Sequence, residues 1–223
     1  MSHSASSSSS APALPPFRSR VVPVIVVSQV EQAVPLARAL LAGGVDVMEI
    51  TLRHAAGLPA IAAVAKAVPE MFVGAGTVTR AAEMRQVRDA GASFALSPGC
   101  TPALVQAARD CNMPFVPGVM TPSEVMAARD AGLKLLKLFP AAQAGGLGML
   151  KALAGPLGEM RFCPTGGVSL ENMAEFLRLP NVPMVGGSWL TPLDLIESGK
   201  WDAITALARA ATQATAGLPT PSL

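Results

Sequence analysis

The residue of this chain with most chemistry in it is a lysine near the end of an otherwise apolar run. Gly132 to Ala141 reads GLKLLKLFPA. Strand alternation places Leu133, Leu135, Lys137 and Phe139 on one face and Lys134, Leu136 and Leu138 on the other. Lys134 stands at the start, where its stem reaches water. Lys137 lies deep enough to lose water and close enough to the C-terminal end of the run to meet a ligand. Burial penalises the ammonium form, so Lys137 is a candidate amine nucleophile for a carbonyl carbon. A structural lysine that snorkels from a strand end is the other reading of this stretch.

An amine that attacks a carbonyl needs a group to carry protons. Glu49 falls inside VDVMEIT, Val45 to Thr51, where an apolar residue would be the default. A buried carboxylate without a partner is costly, so Glu49 either pairs with a cation or moves protons. Arg53 is open to two roles: structural partner of Glu49, or a fork for the carboxylate of a 2-keto acid that Lys137 would hold as an imine. Further along, CPTGG places Thr165, Gly166 and Gly167 in one loop, and VGGSW places Gly186, Gly187 and Ser188 in another. Glycine pairs let backbone N–H groups approach an anion, and Ser188 adds a hydroxyl donor, although such pairs also end strands in ordinary turns.

Those residues converge only if strands carry them to one place. Short apolar runs at Val21 to Val27, Val45 to Thr51, Met71 to Gly74, Phe94 to Ser97, Phe115 to Gly118, the lysine run, Arg161 to Pro164 and Met184 to Gly186 read as eight strands. Helical patterns lie between many of them, at Glu31 to Ala42, Ala60 to Val68, Arg80 to Ala90, Thr101 to Cys111, Thr121 to Ala131, Ser169 to Arg178 and Trp201 to Ala214. A spacing of about 20 to 25 residues per unit is that of parallel β/α repeats. Eight units predict a single-domain α/β fold, the closed (β/α)8 TIM barrel. An open doubly wound sheet is the alternative, but Ser28 and Gln29 stand where it would more often carry a glycine-rich dinucleotide turn. The helix ends RDAGASFAL, RDCNMPFVP and RDAGLKLLK resemble one another, as repeated units do. In a barrel the strand ends face one mouth, which would gather Glu49, Arg53, Thr77, Pro98, Lys137, Phe139, Thr165 and Ser188.

Composition narrows the partners. The 223 residues are 51% hydrophobic with a net charge of +2, and the charges are scattered singly. There is no basic stripe for nucleic acid and no polybasic patch for a membrane surface. Cys100, Cys111 and Cys163 are odd in number and lack a C-x-x-C spacing, which argues for free thiols rather than a disulfide framework or structural zinc. Residues 1–15 are serine- and alanine-rich and read as a disordered tail with no apolar core of signal-peptide length, leaving 16–223 as the folded domain. The expectation is a cytoplasmic protein. His54 is the only histidine outside the tail, too few for a metal site built on several imidazoles.

With these residues assembled, the chain closely resembles the bacterial 2-keto-3-deoxy-6-phosphogluconate (KDPG) aldolase family, some members of which also act on 2-keto-4-hydroxyglutarate (KHG). The likeness runs from Val21 to the final helix and is carried by VVPVIVV, EITLR, VGAGTV, ALSPG, KLFPA, RFCPTGG and GGSWL. It implies a class I aldolase of the Entner–Doudoroff pathway that acts on a phosphorylated keto acid, needs no cofactor or metal, and assembles as a homotrimer. By the same likeness Lys137 forms the imine and Glu49 shuttles protons. Arg53, Thr77 and Thr165 hold the pyruvyl portion, lined by Phe139 and Pro98, and Gly166, Gly167, Gly187 and Ser188 hold the phosphate. PTGG with GGSW resembles the gluconate rather than the galactonate branch. Two positions depart from the pattern: His54 follows TLR where Thr or Ser is usual, and Leu138 replaces an aromatic residue. Two other classes stay open on the residues alone, a phosphate-binding barrel isomerase or synthase and a non-catalytic small-ligand module.

Overall fold

The computed structural model describes residues 12–219 and 221. Nine strand segments alternate with helices: β1 (Val21–Ile25), α1 (Ala33–Ala42), β2 (Val47–Thr51), α2 (Gly57–Ala67), β3 (Phe72–Gly76), α3 (Ala81–Asp89), β4 (Phe94–Leu96), α4 (Pro102–Asp110), β5 (Phe115–Val116), β6 (Gly118–Val119), α5 (Pro122–Asp130), β7 (Leu135–Leu138), α6 (Gly146–Ala154), β8 (Arg161–Pro164), α7 (Met173–Leu177), β9 (Val185–Gly187), α8 (Leu193–Glu197) and α9 (Trp201–Thr215). Every pairing is parallel.

The pairings run in the order β5-β4-β3-β2-β1-β9 and β6-β7-β8. The two sets join into one curled barrel. β5 and β6 are successive parts of one chain segment, interrupted at Pro117, which has no N–H for the ladder. The Pro117 carbonyl still accepts from Lys137 N at 2.8 Å. On the other side, a parallel bridge from Thr165 to Gly186 links the end of β8 to β9. These eight strand positions form the (β/α)8 barrel that the spacing predicts.

Local chemistry explains the repeats. α4 and α5 each start with a Thr N-cap followed by Pro: Thr101 accepts from Leu104 N at 3.2 Å and Thr121 from Glu124 N at 3.3 Å. The Arg-Asp repeats end in a left-handed residue that turns the chain from helix to strand. Gly91 (φ 91°) and Gly132 (φ 75°) fill that position, and Asn112 (φ 49°) takes it in the third copy. Glycine meets no Cβ penalty there, and Asn is among the few other residues that tolerate it. α6 and α8 are additions to the helices expected from the sequence. Gly145, Gly146 and Gly148 mask the apolar period of α6, and α8 spans only 5 residues. The helix expected over Ser169 to Arg178 is shortened to α7.

Two apolar regions hold the layers together. The larger fills the space between barrel and helices, with Met48, Ile50, Leu136, Leu138, Met84 and Leu150 fully buried in it. The smaller lies inside the barrel and contains Val22, Val47, Phe94, Leu96, Val116, Cys163 and Met184. Leu14 and Phe17 pack on it from outside, with the Phe17 ring 6.4 Å from Phe72 and 6.0 Å from Phe94. Of the tail expected over residues 1–15, residues 1–11 lie outside the described residues, while Leu14 belongs to this packing. Among the described residues no helix is long and apolar enough to cross a membrane.

Candidate active site

Alternation along the barrel strands determines which side chains face inward. On β2, Met48 and Ile50 pack under the helices, so Val47, Glu49 and Thr51 face the interior from bottom to mouth. On β7, Leu136 and Leu138 face the helices, and Leu135 and Lys137 face inward. On these two strands the apolar residues Val47 and Leu135 give way to the polar pair Glu49 and Lys137.

In this pair Lys137 Nζ donates to Glu49 Oε1 at 3.0 Å and to Oε2 at 3.3 Å, with both side chains almost fully buried. A buried ion pair is costly to form and more costly to break, because removing one partner leaves a charge without compensation. The pairing answers the question left open by the sequence: the cation that meets Glu49 is Lys137, and Arg53 forms no ion pair with it. The amine also lies 5.4 Å from the centre of the Phe139 ring, within reach of a cation–π attraction. Lys134 is exposed at the start of the run.

Neighbouring strands make room by omitting side chains. A Cβ on Gly76 would collide with the Glu49 carboxylate, one on Gly186 with the Thr165 hydroxyl, and one on Gly118 with the Pro98 carbonyl. In the sequence Gly76 and Gly118 read only as strand or turn glycines, and Gly186 reads as half of an anion-binding pair rather than as room for Thr165. Cys163 is in register with Lys137 on the neighbouring strand and is buried. Its burial pushes the thiol up to about 12, against the opposing influences of Lys137 and of the Thr165 hydroxyl. The group beside the amine is thus a neutral thiol.

The remaining predicted residues ring the mouth. Arg53 is exposed, and its Nε donates to Thr51 Oγ1 at 3.3 Å. Thr77, the residue after β3, has a left-handed conformation, φ 61°, an unusual state for a β-branched residue and one that concentrates at functional sites. Thr165 is buried, and its hydroxyl donates to Cys163 O at 3.3 Å. Pro98 is exposed at the end of β4. Gly166 (φ 94°) and Gly167 (φ 84°) turn sharply after β8. Asn172 steadies that loop, donating to Gly167 O at 2.9 Å and accepting from Ser169 N at 2.9 Å. Gly187 lies under the Trp189 ring, and Ser188 beside it is exposed. His54 is exposed and accepts from Ala56 N at 3.1 Å through Nδ1, opening the turn into α2.

A (β/α)8 barrel with a buried lysine–carboxylate pair near its C-terminal mouth is built like an enzyme that works through an amine nucleophile. The sequence profile of the KDPG and KHG aldolase family matches residues 17–207, and the chain belongs to that family. It is 53% identical over 191 residues to the 2-dehydro-3-deoxy-phosphogluconate aldolase of Dickeya dadantii, covering 86% of this chain and 90% of that one. It is 52% identical over 193 residues to the KHG/KDPG aldolase of Escherichia coli K12, covering 86% and 91%. Among solved structures, the KDPG aldolase of Legionella pneumophila, with pyruvate captured at low pH as a covalent carbinolamine intermediate, superimposes with a TM-score of 0.85 at 44% identity, over 87% of this chain and 94% of that one.

Proposed function

We propose that this chain is a class I aldolase that cleaves KDPG to pyruvate and glyceraldehyde 3-phosphate, and also cleaves KHG to pyruvate and glyoxylate. The observation that carries this reading is the contact between Lys137 Nζ and the Glu49 carboxylate inside the barrel. The double name of the Escherichia coli relative supports the second substrate.

The chemistry follows from the pair. The Glu49 carboxylate takes a proton from the Lys137 ammonium, and the free amine adds to C2 of the keto acid to form a carbinolamine. Glu49 returns the proton to the C2 oxygen, which leaves as water, and the protonated imine remains. Glu49, a carboxylate again, takes the proton of the C4 hydroxyl, the electrons of the C3–C4 bond move into the imine, the aldehyde departs, and an enamine is left that recovers this proton at C3. Protonation at C3 and hydrolysis release pyruvate and the amine. In this reading Arg53, Thr77 and Thr165 hold the pyruvyl portion beside Phe139 and Pro98. Gly166, Gly167, Gly187 and Ser188 hold the phosphate. Residues 16–223 act as one catalytic domain. Family likeness is the support for a homotrimer, a cytoplasmic location and a place in the Entner–Doudoroff pathway.

The test is borohydride reduction in the presence of pyruvate, followed by peptide mapping. The expected product carries the reduced adduct on the peptide containing Lys137. An adduct on Lys134 or Lys151 in its place would sink the assignment.

A further inference from the structure

Thr51 is the inward-facing residue directly above Glu49 on β2, and it is 1% exposed. Its hydroxyl donates across the seam to Ile25 O on β1 at 2.8 Å. A hydroxyl has one hydrogen, so the oxygen can only accept from Arg53 Nε at 3.3 Å. The chain of donation is therefore directional, running from the guanidinium through the hydroxyl to a strand carbonyl.

Arg53 needs such a tether. Its side chain is exposed, it has no ion pair among the described residues, and a free arginine side chain samples many rotamers. Its nearest buried carboxylate on the same strand, Glu49, is engaged by Lys137. Anchoring through Nε leaves the terminal amino groups available for a carboxylate, the geometry in which arginine binds bidentately.

We propose that Thr51 is a positioning residue for substrate recognition: the Ile25 carbonyl and the Thr51 hydroxyl together orient Arg53 to receive the keto-acid carboxylate, which sets C2 against Lys137. This rests on the reading of Arg53 as the carboxylate holder. Thr51 does not touch the reacting atoms, so its influence falls on binding and orientation rather than on proton transfer.

The experiment compares Thr51→Val, Thr51→Ser and Arg53→Ala in steady-state cleavage and in borohydride trapping with pyruvate. Val keeps the shape and removes both hydrogen bonds. KM should rise about tenfold in Thr51→Val, the scale of one hydrogen bond to a charged group, with kcat within about twofold. Thr51→Ser, which keeps the hydroxyl, should restore KM. Pyruvate should be trapped more slowly in Thr51→Val, and adding that change to Arg53→Ala should have no further effect, because the tether then holds nothing. If Thr51→Val does not fold, Thr51→Ala, which leaves space for water on the Ile25 carbonyl, carries the same comparison. If Arg53→Ala raises KM and the Thr51 variant does not, the proposal fails while the role of Arg53 stands. If Arg53→Ala leaves KM unchanged, the underlying reading fails. Equal losses from Thr51→Val in both backgrounds would show a purely structural role and overturn the proposal.

Discussion

Gly76 and Glu49 compete for the same space: a Cβ on Gly76 would fall on the Glu49 carboxylate, so β3 must omit a side chain where β2 presents its acid. Gly76 lies buried and is paired with Thr51 in the ladder. Gly76→Ala should therefore displace Glu49 from Lys137 and cut turnover by about 10²-fold or more, the scale of general acid–base catalysis. Gly155→Ala, where a Cβ would meet open space, should leave turnover unchanged. Steady-state assays of the two purified variants check the contrast, and an active Gly76→Ala enzyme would show that the carboxylate tolerates another position.

Glu49→Gln retains the shape beside Lys137 but removes the base. Turnover should fall about 10²- to 10⁴-fold, while borohydride with pyruvate still labels Lys137 slowly because the amine remains. Mass spectrometry of the labelled peptide, followed over time, measures both effects in one sample. Unchanged turnover would remove Glu49 from the proton path.

Ser188 should matter to the phosphate and not to the reacting carbons. Ser188→Ala is expected to lower kcat/KM for KDPG by about 1 to 2 kcal/mol, the contribution of a charge-assisted hydrogen bond, and to spare KHG. Equal losses on both substrates would place Ser188 elsewhere.

Cys163 gives a prediction for alkaline pH. Its folded value is raised from 9.0 to about 12 by burial. Above the lower value the unfolded thiol releases its proton while the folded one keeps it. Stability is thus full below 9.0 and is lost as pH rises towards about 12, by about 1.4 kcal/mol per unit. Urea midpoints measured across this range should decline less steeply for Cys163→Ala than for the parent chain.

Arg20 should carry stability without chemistry. Its buried guanidinium donates to the carbonyls of Pro183 (2.8 Å), Pro219 (2.8 Å), Leu177 (3.0 Å) and Val182 (3.2 Å), joining the start of β1 to the segment before β9 and to the C-terminal stretch. Burial pulls its pKa below the usual arginine value, because the charged form loses water. Arg20→Met should cost about 3 kcal/mol, since it leaves several buried carbonyls unpaired. The midpoint of urea unfolding reports the loss, and a change below about 0.5 kcal/mol would mean that water replaces the guanidinium.

Much of this protein is legible in its sequence, because strand alternation, helix caps and helix stops are local properties. They place Lys137 inward and Lys134 outward, start α4 and α5 at Thr-Pro, and end the Arg-Asp repeats on Gly91, Asn112 and Gly132. Glu49 is marked by its place in the middle of VDVMEIT, where a buried carboxylate needs a partner. The eightfold rhythm of strands leads to the barrel, and the family segments lead to the aldolase reading. What the local pattern does not contain is distance between residues far apart in the chain. Whether Glu49 meets Arg53 or Lys137 depends on the curl of the sheet, which brings together positions separated by 88 residues. Gly76 and Gly118 read in sequence as strand or turn glycines and Gly186 as half of an anion-binding pair, and only the packed barrel shows whose atoms occupy the space that each leaves. The same holds for Thr51, an ordinary strand threonine until the register of β1 and β2 sets the Ile25 carbonyl beside its hydroxyl and Arg53 above it. Backbone conformation follows from neighbours in sequence, but packing and hydrogen-bond partners follow from neighbours in space, and the closed parallel sheet supplies those.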